Sequence, residues 1–400
     1  MKILHITSAY EPAWHLGGVV RAVSQLCRGL VNLGQDITVY TTDSGLDRRM
    51  AVRPNQIMEI GGVKVIYFKS DYLLNFYYSS ALNRACELTL GNYDLIHLAS
   101  PFAYPNIVGG RAARRHHLPY VISTHGSLII KYRPKKFLKK WLYLSICERS
   151  NFRQASAIHF TTELEREQSD PLGRKAPGFI VPNGLDLAEF DRLPDKVLAR
   201  KELGLPPDTL IVLYFGRLEP RKGLDILLQA FAKARETSPH RLMLMLAGPD
   251  FGQQALLYEM ADKLNLSDHV VFPGYVPPEK RNALLVSVDI MALTSHQGEN
   301  FGISALEGML AGVPVLLSNN VGFHQDVLAD QAGLAIPLTV EAVSQAMAQM
   351  VSNPEKLKAM GRNAYRSARS RYDIKIVAKK MLLAYEDILS GRCSPELSWA

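Results

Sequence analysis

Cysteine and long apolar runs are what this sequence has little of. Its four cysteines, Cys27, Cys86, Cys147 and Cys393, lie far apart and form no CxxC pair. That argues against a disulfide framework or a zinc site and points to a reducing compartment. No window offers about 18 uninterrupted apolar residues, so no membrane-spanning helix is expected. The opening residues Met1 to Thr7 carry too short an apolar run for a signal peptide. The expected location is the cytoplasm, with or without attachment to the inner face of a membrane. The sequence also lacks short repeats, low-complexity tracts, GxxxxGK[ST], and a GxGxxG after its first apolar run.

What is present describes a globular protein of more than one domain. The chain has 400 residues, 47% apolar and 21% charged, which excludes wholesale disorder and fibrous structure. At about 100–200 residues per domain, two or three domains are expected. Lys and Arg total 46 against 38 Asp and Glu, a net charge of +8. Residues 1–190 hold 23 basic and 15 acidic residues, while 191–400 hold 23 of each, so the whole excess lies in the first half. A basic half either meets something anionic or merely keeps the protein soluble.

The two halves are patterned alike. In the first, an apolar run at 2–7 is followed by Gly17-Gly18, a helical period over 19–33, Gly34 and a β-branched run at 36–40. This is a βαβ unit. Further short runs at 63–68, 94–98 and 119–123 alternate with helical stretches and predict a parallel sheet covered by helices. In the second half the strands are expected at 210–215, 242–247, 269–272, 289–293 and 313–317, with a helix at 224–234. Pro194, Pro206 and Pro207 mark 190–207 as a hinge. Residues 373–389 have the period of a terminal helix docked on another surface. The expected fold class is α/β: two Rossmann-like doubly wound domains, 1–190 and 191–372, and a terminal helix and tail, 373–400, crossing back to the first domain. Ligands of such sheets bind beyond the carboxyl ends of the strands, so a cleft between the halves is expected.

Three segments carry chemistry. Thr294 to Met309 follows a strand and opens a helix near Phe301; free N–H groups of Phe301, Gly302 and Ile303 would form an anion site, and Gly302 would allow close approach. Glu299 and Glu307 are eight residues apart, about 12 Å along a helix. They read either as contacts to two ends of an extended phosphate-bearing ligand, or as an acidic N-cap and a buried, paired glutamate. Gly216-Arg217 with Lys222-Gly223 is a strand-end loop with a forked and a point cation, suited to phosphate or simply a solvated basic turn. Ser123-Thr124-His125-Gly126-Ser127 places His125 at a strand end, where it either binds a hydroxyl or shuttles a proton, or is satisfied structurally.

In this order the motifs resemble retaining glycosyltransferases of family 4, which have the GT-B fold. The family's paired glutamates, seven residues between them, are matched by Glu299 and Glu307; its diphosphate loop by Arg217 and Lys222. Its N-terminal glycine loop is matched by Gly17 and Gly18, its P-N-G-x-D turn by residues 182–186, and its F-x-G-x segment by Phe272 to Tyr275. The resemblance covers nearly the whole chain and implies roles. The first domain would bind the acceptor and the second the nucleotide sugar. Glu299 would bind donor hydroxyls and face developing oxocarbenium charge; Glu307 would accept from the ribose hydroxyls. Arg217 and Lys222 would neutralise the diphosphate, and the backbone from Asn300 to Ile303 would bind sugar and phosphate oxygens. His125 would touch the sugar, Gly18 would line the phosphate side, Asn183 would join the substrate contacts, and the segment through Tyr275 and Val276 would meet the base. One departure is Gly308 after the second glutamate, where the family often has Ala.

The resemblance also implies no cofactor and no metal: the donor is a nucleotide-diphosphate sugar, UDP-glucose or similar first and GDP-mannose second, and no Asp-x-Asp is present. The stretch from Lys131 to Trp141 has six cations in residues 131–140 with Phe137 and Trp141 among them. It reads as a contact to an anionic membrane surface serving a glycan or lipid-linked glycan acceptor, or as a solvated helix face. No nucleic-acid partner is expected. The competing classes are a nicotinamide-dependent oxidoreductase on two Rossmann-like domains, a non-catalytic nucleotide- or glycan-binding protein, and a synthase of soluble polyglucan.

Overall fold

A computed structural model describes residues 1–46, 53–71, 76–99, 101–129, 143–169, 176–296, 299–392 and 396–397. The basic segment 131–141 lies outside the described residues. The chain divides into two compact units, Met1–Gly184 with Ile374–Ala400, and Leu185–Asp373.

The first unit is built on a nine-stranded sheet. Its strands are β1 (Lys2–Ile6), β2 (Asp36–Thr42), β3 (Ile57–Ile60), β4 (Val63–Phe68), β5 (Leu95–Leu98), β6 (Tyr120–Ser123), β7 (Ala157–Phe160), β8 (Gly178–Ile180) and β15 (Glu396–Leu397). The order is β15-β8-β7-β6-β5-β1-β2-β4-β3. All neighbours are parallel except β3, which pairs antiparallel with β4. Sequence reading expects neither β3 nor the short strands β7 and β8. Each has only three or four residues, too few to show a period; β3 pairs with β4 next to it in the chain, whereas β7 and β8 pair with strands more distant in the chain.

Helix α1 (Gly18–Asn32) buries Val20, Val23, Cys27 and Leu30, the stripe its apolar spacing requires. The terminal helix Ile374–Leu389 packs on it, burying Ile374, Val377, Ala378, Met381 and Tyr385. Gly29 is what lets the two helices meet: a Cβ there would lie 2.9 Å from both Ala378 Cβ and Ile374 Cγ1. Among the described residues Cys27, Cys86 and Cys147 are free thiols.

The second unit holds a six-stranded, wholly parallel sheet: β9 (Leu210–Phe215), β10 (Leu242–Ala247), β11 (Val270–Gly274), β12 (Ile290–Leu293), β13 (Val315–Ser318) and β14 (Gly333–Ile336), in the order β11-β10-β9-β12-β13-β14. Strands β12 and β13 are buried from end to end, and β9 and β10 along most of their length, as parallel strands covered on both faces must be. The order reverses between β9 and β12, and that switch point is where such sheets bind ligands.

The expected hinge at 190–207 is not a linker. It belongs to the second unit and contains the helix Lys196–Glu202. Arg200 in that helix is buried, donating from Nε to the Ser287 carbonyl at 2.8 Å and from Nη2 to Asp289 at 2.7 Å. A buried ion pair docks the proline-rich stretch, which its composition alone does not reveal. The chain instead passes between units at 184/185 and 373/374. Among the described residues no helix is long and apolar enough to cross a membrane.

Candidate active site

In the second unit the switch point brings two loops together. Gly216 to Gly223 leaves β9, and Thr294 to Gly302 leaves β12. Residues 297–298 of the second loop are outside the described residues. The loops are laced by backbone: His296 N–H donates to the Arg221 carbonyl at 2.9 Å. Between them Lys222 Nζ donates to Glu299 Oε2, with both side chains about 15% exposed. Ser295 Oγ donates to the same oxygen at 3.3 Å. Burial pushes the Glu299 carboxyl up, but the Lys222 charge and hydrogen bond, helped by Ser295 and Arg221, outweigh it and hold the group below the ordinary carboxylate range. Glu299 is therefore a carboxylate at neutral pH.

Beyond Glu299 the helix Ile303–Leu310 begins, two residues later than its sequence suggests. Its geometry leaves the N–H groups of Ile303, Ser304 and Ala305 without intrahelical acceptors. Phe301 and Gly302 precede it, so of the expected donors Phe301, Gly302 and Ile303 only Ile303 lies in its first turn. Phe301 is a core residue, 1% exposed and packed against Phe323 and Tyr372. Gly302 caps the helix with φ +101°, and a Cβ there would meet Leu293, Val321 and Phe323 at 3.0–3.1 Å. Both facts select glycine. Asn300 is half-buried just before it.

Glu307 is 4% exposed on this helix. Arg281 Nη1 donates to its Oε1 at 3.3 Å, and Arg281 Nη2 donates to Glu189 at 2.8 Å. The Arg281 guanidinium also lies 5.3 Å from the centre of the Phe190 ring. Arg217 donates from Nη2 to Glu219 at 3.2 Å and covers the Phe251 ring at 5.1 Å. Arg221 donates to the same carboxylate at 2.9 Å. Sequence reading missed Glu219, Arg221, Ser295 and Arg281. The Arg–x–Glu–x–Arg run at 217–221 carried a signal for the first two, whereas Arg281 carried none. Tyr275 is exposed and Val276 half-buried on the loop after β11, two strands from β9 along the same carboxyl edge. Among the described residues no group of three His, Cys, Asp or Glu is placed to hold a metal ion.

In the first unit Gly17 caps α1 with φ +107°, and exposed Gly18 opens the helix. His125 and Asn183 line a small cavity together with His5, His97, Ser123 and His159. These polar residues share one face because His5 pairs with His97, and Ser123 with His159, across the parallel register. Sequence reading missed all three further histidines. The signal was a single polar residue recurring in each of several otherwise apolar strands.

Two of the histidines, His97 and His159, belong to an ordered hydrogen-bonded chain. His159 Nε2 lies 2.7 Å from the Val181 carbonyl, which can only accept, so this nitrogen carries the proton. Ser123 Oγ must then donate to His159 Nδ1 at 2.6 Å. His97 Nε2 donates to Ser123 at 2.5 Å, and Tyr385 of the terminal helix donates to His97 Nδ1 at 2.5 Å. The scheme requires neutral rings, and burial supplies them. His5 and His125 are lowered to about 3, first by burial and then by the His159 charge. His159 is lowered to about 4 by burial against the opposing bond to Val181. His97 is pushed well down by burial and then by its neighbouring histidines. Near neutral pH the buried His125 ring is thus neutral.

The sign of the pH dependence follows. Folded-state values below the unfolded value of about 6.5 mean that unfolding takes up protons. This contribution is full above about pH 6.5 and is lost as pH falls toward 4. Between pH 6.5 and 5, before most carboxylates titrate, stability should fall by about 1.4 kcal/mol per pH unit for each proton taken up, and the melting temperature should fall steadily with it. Thermal melts across that window check it, and a flat profile would contradict neutral buried histidines.

Two family profiles match the chain: "Glycosyl transferase 4-like domain" over residues 17–184 and "Glycosyl transferases group 1" over 195–367. The chain belongs to the GT-B glycosyltransferases. The first match is consistent with family 4. Among GT-B relatives, a D-inositol 3-phosphate glycosyltransferase of Kineococcus radiotolerans is 27% identical, covering 88% of this chain and 86% of that one. Another protein of that name, from Segniliparus rotundus, is 32% identical over 53% of this chain and 47% of its own length. The solved GT-B structure of Anabaena HepE in complex with UDP-glucose shares the fold, with a TM-score of 0.77 at 21% identity over 97% of this chain and 100% of that chain.

Proposed function

We propose that this glycosyltransferase moves a hexose from a nucleotide-diphosphate sugar to a glycan or lipid-linked glycan hydroxyl, with retention at the anomeric carbon and without a metal. The observation that carries the reading is the half-buried Lys222–Glu299 pair at the switch point, beside the open N-terminus of the helix Ile303–Leu310. Negative charge grows on the leaving diphosphate as the glycosidic bond breaks, and fixed donors aimed at it stabilise the transition state. Lys222, Arg217 and the N–H groups of residues 303–305 are such donors. Glu299, held as a carboxylate, faces the positive charge developing on the sugar. Glu307, fixed by Arg281, accepts from the ribose hydroxyls. On the first unit, neutral His125 with Asn183 offers hydrogen bonds to a sugar hydroxyl, and Gly17 and Gly18 leave the start of α1 open to an oxyanion.

UDP-glucose is the first donor to test, supported by the fold shared with HepE, and GDP-mannose the second. The names of the relatives favour a second acceptor class, a phosphorylated cyclitol. The lipid-linked alternative and attachment to an anionic membrane rest on the sequence of residues 131–141 alone.

Thermal shift with UDP, GDP, ADP and NAD tests the reading, followed by turnover of the matching sugar nucleotides. Stabilisation by UDP or GDP with sugar release is expected. A response to NAD alone would move the chain to the oxidoreductases, and no response to any of the four would leave the non-catalytic class. With cations and backbone donors carrying the phosphate charge, EDTA should leave transfer unchanged. Activity lost with EDTA and restored by Mg²⁺ or Mn²⁺ would remove the metal-free mechanism.

A further inference from the structure

We propose that Glu165 is a positioning residue for His125, acting through Thr124 and Gly126 on either side of it; this rests on the reading of His125 as a sugar-binding group. Glu165 is 1% exposed and lies in the short helix Glu163–Gln168 after β7, which Thr162 caps by accepting the Glu165 N–H at 3.1 Å. A glutamate at this place ordinarily folds back to the capping residue's own N–H. Here it reaches further. Its Oε2 accepts from the Thr161 N–H at 2.7 Å and from the Thr161 hydroxyl at 2.8 Å. Its Oε1 accepts from the Thr124 hydroxyl at 2.6 Å and from the Gly126 N–H. The residues before and after His125 are therefore tied to one oxygen of a buried carboxylate.

His125 needs such a tie. Its φ is +43°, a conformation uncommon outside glycine, which persists only where the surroundings hold it. On the other side Ser123 is fixed between His97 and His159. The tie at Glu165 also requires a carboxylate. Each oxygen faces one backbone N–H, which can only donate. A glutamine offers one oxygen and one NH₂, so Glu165→Gln must lose either Gly126 or Thr161. The substitution is nearly isosteric, does not alter the His125 side chain chemically, and touches none of the groups proposed to bind the nucleotide.

The test is a double-mutant cycle on the full chain with UDP-glucose, using the parent, Glu165→Gln, His125→Ala and the double variant. Glu165→Gln should lower kcat on the order of 10-fold, with KM and the Kd for UDP unchanged and no further loss in the His125→Ala background. The Gly126 amide and His125 ring resonances should shift in Glu165→Gln. An equal loss of kcat in both backgrounds, or resonances that stay in place, would overturn the proposal. If the parent neither binds UDP nor turns over UDP-glucose, the donor reading fails, and the resonances still decide the role of Glu165. Should Glu165→Gln not fold, Thr124→Val removes one of the four bonds and keeps the carboxylate. Its kcat loss should also vanish in the His125→Ala background, and a loss that persists there would overturn the proposal.

Discussion

Lys222→Ala should lower kcat for sugar transfer about 10²–10³-fold, the scale found when one donor to a developing negative charge is removed. The Lys222 charge serves two groups in this reading. It would neutralise the leaving diphosphate, and it holds Glu299 ionised against the effect of burial. In the variant only Ser295 and Arg221 oppose that burial, so the Glu299 pKa should rise. The pH–rate profile should then lose activity at a higher pH on its acid limb than the parent does.

Stability should change in the same sense. In the parent, the depressed Glu299 pKa contributes stability above the unfolded value of about 4.3, lost as pH falls through the folded value. In the variant the sign reverses, because a buried carboxylate without its main partner destabilises the fold, on the order of 3–5 kcal/mol when a buried pair is broken. Acidification should therefore rescue part of the variant's loss in melting temperature. Parallel pH–rate and pH–melting curves check both statements. A variant with normal turnover, or with an unshifted acid limb, would place Lys222 outside the chemistry.

Glu307→Ala should raise the Kd for UDP about 10- to 100-fold, since hydrogen bonds to a charged acceptor contribute about 1.5–3 kcal/mol. The effect belongs to binding, so KM for the donor should rise far more than kcat falls. Arg281 loses one carboxylate but keeps Glu189 at 2.8 Å, so the protein should still fold. Calorimetry with UDP and 2′-deoxy-UDP reads the role directly. The parent should bind the deoxynucleotide more weakly than UDP, and Glu307→Ala should bind the two alike. Equal discrimination by both proteins would take the ribose away from Glu307.

Local pattern carried most of the fold and part of the site. The strands around β9 and β12, the helix after Gly302 and the terminal helix all announce themselves through period, glycine and length. Glu299, Arg217, Lys222 and His125 stand at the ends of such elements and Glu307 lies in the helix that follows, where a spacing rule can find them. The errors arose where pairing overrides local preference. β3, β7 and β8 are too short to show a period, and the 190–207 stretch reads as a linker until Arg200 meets Asp289.

Partners were beyond the reach of any local rule. Lys222 and Glu299 are 77 residues apart, Glu165 and Thr124 are 41, and His97 and Tyr385 are 288. The sequence by itself determined the α/β class, the GT-B resemblance and the residue types at the strand ends, because these depend on neighbours a few positions away. Only the tertiary structure decided which carboxylate is ionised, which histidines are neutral and which side chain holds another in place. Those properties depend on burial and on charges brought close by folding, and a one-dimensional pattern records neither.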